Sequence, residues 1–75
     1  MRLKCEFRHL TTGDEKEIVV TLNGAECQSV ESLRKHKGTE TADLHAQAYA
    51  LRHAYREIPA DGWRHTKPPT LLPAS

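Results

Sequence analysis

The chain has 75 residues, 28% of them charged, with a net charge of +1. So short a chain is one domain at most, and folding withdraws only about 60–65% of its surface from water, so its core is thin. Balanced charge argues against the strong positive field of a dedicated nucleic-acid binder, and periodic apolar residues argue against disorder.

Arg2, Lys4, Glu6 and Arg8 interrupt any apolar run at the start, so no signal-peptide core is expected there. No stretch approaches the roughly 20 apolar residues of a membrane span. A cytoplasmic protein without a membrane partner is the expectation, with Cys5 and Cys27 as reduced, partly buried thiols. Domains this small often need a staple, and a second subunit is one such staple.

In chain order, Met1, Leu3, Cys5, Phe7 and His9 alternate with Arg2, Lys4, Glu6 and Arg8, the period-2 pattern of a strand with one wet face. Thr11-Thr12-Gly13-Asp14 reads as a turn. Glu17 to Leu22 is rich in β-branched residues and puts Ile18, Val20 and Leu22 on one face. An antiparallel hairpin with a charged outer face follows.

Asn23-Gly24 has two readings. It can turn into a third strand over Ala25 to Val30, or Asn23 can cap a helix with Glu26 completing a capping box. Lys35, His36, Lys37 and Gly38 then look like a helix end, so residues 24–37 are read as helix. The second helix runs from Glu40 to Glu57 without Gly or Pro, and Pro59 ends it. Leu44, Ala48, Leu51, Tyr55 and Ile58 form a stripe about 80° wide, expected to pack against Leu3, Phe7, Ile18, Val20 and Leu22 of the hairpin. Asp61-Gly62 is a turn, and Trp63 is expected to return over the core as a short edge strand. The predicted domain is residues 1–67, with 68–75 an extended, mobile Pro-rich tail. The fold class is a two-layer α+β domain: an N-terminal hairpin on two helices, with a short C-terminal strand. The alternative is a three-stranded meander with one long helix.

Catalytic and metal signatures are absent. There is no G-x-S-x-G, no glycine-rich phosphate loop, no H-E-x-x-H and no C-x-x-C. His45 and His53 lie eight apart, about 12 Å along a helix, too far for one zinc unaided. Cys5 or Cys27 with a histidine is the weaker enzyme or metal alternative, so no cofactor is expected.

The unusual surface is a sector of the second helix about 100° wide that gathers His45, Tyr49, Arg52, His53 and Arg56. Guanidinium groups form bidentate, charge-assisted bonds to carboxylate and phosphate, so this sector points to an acidic protein partner and, less directly, to a nucleic-acid backbone. A solvated amphipathic face is the plain alternative. Ala42, Ala46, Ala50 and Ala54 form a ridge along which another helix can approach, either the first helix or a second copy in a homodimer. The expected function is a small non-enzymatic interaction module, with a homodimeric accessory protein as the alternative.

Overall fold

The computed structural model describes residues 1–58 and 61–73. Its elements run β1 (Arg2–His9), β2 (Glu15–Thr21), α1 (Gly24–Lys37), α2 (Thr39–Glu57), β3 (Trp63–His65) and β4 (Thr70–Leu71). This is the expected α+β class: an N-terminal hairpin, two helices and an antiparallel sheet.

β1 and β2 pair from Arg2↔Thr21 to Arg8↔Glu15. That register stacks Leu3 on Val20 and Cys5 on Ile18, so the apolar alternation of both strands falls on one buried face. The turn is tied by His9 N–H to the Asp14 carbonyl at 2.8 Å. The His9 Nδ1 atom accepts from the Thr11 and Thr12 amides at 3.2 and 3.3 Å. On its other edge β1 pairs with β3 near the turn and with β4 near the N-terminus. Trp63 therefore returns as the expected edge strand.

Over residues 68–73 the tail departs from expectation, while residues 74 and 75 lie outside the described residues. It is extended, but it is not free: Leu71 pairs with Leu3, Leu72 N–H donates to the Arg2 carbonyl at 2.9 Å, and Pro69 is buried. The open edge of β1 supplies hydrogen-bond partners that the tail's own sequence does not advertise.

Residues 24–37 are helix, which removes the meander alternative. The capping box is complete: Glu26 N–H donates to Asn23 Oδ1 at 2.8 Å, and Asn23 N–H donates to Glu26 Oε1 at 3.0 Å. Gly38 alone connects the helices, at φ 96°, a left-handed-side conformation that glycine adopts without strain. The two helices thus form a tight antiparallel pair. α2 starts at Thr39, one residue before the expected Glu40, and Ile58 has left the helix at φ −85°, ψ 117°. Extended backbone is what a residue ahead of proline prefers. Pro59, expected to end the helix, lies outside the described residues.

The orientation of α2 is the main correction. Its buried positions are Ala42, Ala46, Ala50 and Ala54, not the leucine stripe. Leu44 is 59% exposed and Tyr55 37% exposed, and Ala48 is exposed, while Leu51 and Ile58 are half-buried. The alanine ridge joins Leu3, Cys5, Phe7, Ile18, Val20, Leu22 and Val30 in one core. α2 lies against both β1 and β2, and α1 packs mainly along α2. Methyl side chains let a helix settle close to a sheet already furnished with Phe7, Leu3 and Ile18. A leucine stripe in the same place would overfill that layer.

Candidate functional site

The five residues singled out in the sequence do not form one surface. His53 turns into the seam between the helices. Its Nε2 bonds both Glu26 carboxylate oxygens, at 3.0 and 2.9 Å. Tyr49 is half-buried beside the same core. His45 is exposed, and its Nδ1–H donates to the Thr41 carbonyl one turn back at 3.1 Å, leaving Nε2 for other partners. Arg52 and Arg56 are exposed and make no hydrogen bond or ion pair among the described residues. Arg52 still lies near enough to Glu26 to act on its carboxyl.

Glu26 is therefore committed to structure. Partial burial raises its pKa, but the Asn23 amide, His53 and the Arg52 charge outweigh that and hold it below the ordinary 4.5. The same residue caps α1 and clamps it to α2. His53 is better read as the other half of that clamp than as a free ligand group.

What remains on the solvent side of α2 is a row of His45, Arg52 and Arg56, about 40° wide at 100° per residue. Beside it runs the misplaced stripe: Leu44, Ala48, Leu51 and Tyr55. Its centre lies about 150° from the centre of the alanine ridge, although Leu51 packs against the core and the Tyr55 ring meets Phe7. The sequence reading missed Leu44, Ala48 and Tyr55 as exposed residues, while Leu51 is half-buried against the core. The available signal was the coexistence of two apolar stripes on one helix, because a two-layer domain has a covering layer for only one of them.

Tyr55 anchors one end of the stripe. Its ring meets Phe7 edge-on at 5.1 Å between centroids. Its hydroxyl accepts from His65 N–H at 3.2 Å and shares a second hydrogen bond with His65 Nδ1 at 2.9 Å. Tyr55 is thus held rigidly with part of its ring in solvent.

The alanine ridge is covered by the protein's own sheet: Ala42, Ala50 and Ala54 have no exposed surface and Ala46 has 4%. It is unavailable for the homodimer considered from the sequence.

Elsewhere the chemistry is sparse. Burial raises the pKa of the Cys5 thiol, which makes it a poor nucleophile. Cys27 is half-buried and donates weakly to the Leu22 carbonyl at 3.7 Å. Among the described residues no three His, Cys, Asp or Glu side chains are grouped to hold a metal, and no helix is long and apolar enough to cross a membrane. The outer face of the sheet pairs Arg8 with Glu15 at 2.9 Å and Lys67 with Glu6 at 2.8 Å. No protein-family model, no curated protein and no solved structure matches the chain.

Proposed function

We propose that this domain is a small non-enzymatic interaction module that takes an acidic partner on the exposed side of α2. Contact falls to Arg52, Arg56 and His45, with Tyr49 and His53 at the margin where the face meets α1. One observation supports this reading above the rest. Two guanidinium groups one helical turn apart stand exposed without a hydrogen bond or ion pair among the described residues, Arg52 feeling Glu26 only through its charge. Two unpaired forks on one turn-spaced row suit carboxylates, which accept them in bidentate geometry.

The test is a titration of isotope-labelled protein with a polyglutamate peptide at low salt, read by amide shifts. Shifts are expected to cluster between His45 and Arg56. Arg52→Glu with Arg56→Glu is expected to weaken binding by at least tenfold. Unmoved amides on this helix at low salt dispose of the proposal. An oligonucleotide that binds while the peptide does not, with affinity falling steeply in salt, replaces the protein partner with a nucleic-acid backbone.

A further inference from the structure

The basic row says which charge the partner carries. The stripe beside it says what shape the partner has. Leu44, Ala48, Leu51 and Tyr55 are spaced 4, 3 and 4 residues apart, the alternation that lines one helix against another in a coiled coil. The stripe is about 16 Å long, three turns of helix. Its residues are exposed or half-buried, and Leu44 is the most exposed of them at 59%. Ala48 in the middle leaves a shallow step between Leu44 and Leu51 into which a larger side chain fits. His45 and Arg52 each follow a stripe residue directly, at the flanking positions whose charges select partners in helix pairs.

We infer that the exposed stripe of α2 seats one amphipathic, acidic helix of another protein, its apolar residues on Leu44, Ala48, Leu51 and Tyr55 and its carboxylates against Arg52, Arg56 and His45. This deepens the acidic-partner reading and rests on it. Charge decides the occupant. A second copy of the chain, packed antiparallel about a two-fold axis through the stripe, sets the basic row of one copy beside the basic row of the other. Like charges so placed oppose pairing. A helix with Glu or Asp along one flank meets the same row with opposite charge. The null charge of a neutral apolar helix leaves Arg52 and Arg56 as unpaired as they are now.

The experiment compares two peptides of identical composition, one with Leu and Ile at 4-3-4 spacing flanked by Glu, the other scrambled so that no apolar stripe forms. Binding to the full chain is measured by calorimetry. The patterned peptide is expected to bind at least tenfold more tightly. Leu44→Gln with Ala48→Gln touches only exposed positions, so folding is checked by circular dichroism and the patterned peptide is expected to lose about tenfold in affinity. Equal binding of both peptides, unchanged by Leu44→Gln and Ala48→Gln, overturns the helix inference and leaves the acidic-partner reading standing. Failure of both peptides removes both. Light scattering that shows a dimer dispersed by Leu44→Gln assigns the stripe to a second copy and also overturns the inference. So does binding to vesicles of anionic lipid in the absence of any peptide binding.

Discussion

Glu26 acts at two junctions of the structure. It closes the capping box with Asn23 and holds His53 across the helix pair. Glu6 has a similar task on the sheet. The hydrogen bond from Lys67 holds its carboxyl below the usual glutamate range, against the opposing effect of burial, and the charges of Lys67 and Lys4 add to it. Both carboxylates have native pKa values below 4.5. As pH falls below that ordinary value the unfolded chain takes up protons that the folded chain does not, so stability falls with pH. Their contribution is complete above pH 4.5 and is lost as pH drops through the lowered native values. Lys67 has the opposite sign. Its bond to Glu6 raises its pKa above 10.5, so its contribution is complete below that value and goes as pH rises through the raised one. Glu26→Gln keeps the shape and one acceptor but loses the charge. It is expected to lower stability at pH 7 by about 1 kcal/mol and to flatten the acid limb of Tm against pH, without removing the share due to Glu6. Acid limbs that run parallel in the wild type and the variant count against the clamp. Gly62 shows a different constraint at the same scale. At φ 98° it lies against the His9 ring, where a Cβ would come within 2.8 Å of Nε2. The ring cannot retreat without releasing the Thr11 and Thr12 amides from Nδ1.

Between elements, the decisive contact is α2 on the sheet, and it is made by methyl groups. Ala50 has no exposed surface, so Ala50→Leu forces a larger side chain into a closed layer and is expected to cost about 1–3 kcal/mol. Leu44→Ala removes an exposed side chain and adds a good helix former, so it is expected to change stability by no more than about 0.5 kcal/mol. Urea unfolding of the two variants checks this. The reverse ranking returns the leucine stripe to the core. The two substitutions also mark how far the sequence could be read. The hairpin was legible because a period of two with Leu3 and Cys5 opposite Val20 and Ile18 fixes both register and face. The first helix was legible because Asn23 and Glu26 carry both halves of a local cap. The rotation of α2 was not, because hydrophobicity weights Leu and Tyr over Ala, while packing against a sheet bearing Phe7 and Leu3 favours the side chains with the least volume. Spacing also placed His53 correctly on the helix without revealing Glu26 as its partner. That pairing, 27 positions apart, follows from the tight turn at Gly38.

For the whole molecule the consequence is a thin, elongated body. Its extents are 42 × 21 × 19 Å. Its accessible surface of 5139 Å² compares with about 4,650 Å² for a compact monomer of the same mass, an excess of roughly 10%. Part of that surface is apolar, on Leu44, Tyr55, Leu10, Val19 and Leu71. Little core is left to spare, so the tail has to contribute. It covers the edge of β1 beside Leu3, places Pro69 in the interior and follows the Lys67–Glu6 ion pair back along the sheet. Those contacts amount to one buried ring, a half-buried Leu72 and a short ladder, against the entropy of ordering about six residues. A net of even about 1 kcal/mol in a domain of this size shifts Tm by roughly 4–8 °C. A chain ending at Lys67 is therefore expected to fold with a Tm lower by about that amount and to aggregate more readily, because the β1 edge beside Leu3 and Lys4 is left without a partner. Scanning calorimetry on both chains measures the first effect and light scattering the second. An unchanged Tm means that the tail only rests on the sheet, and that β1, β2 and β3 with the alanine ridge hold the fold by themselves.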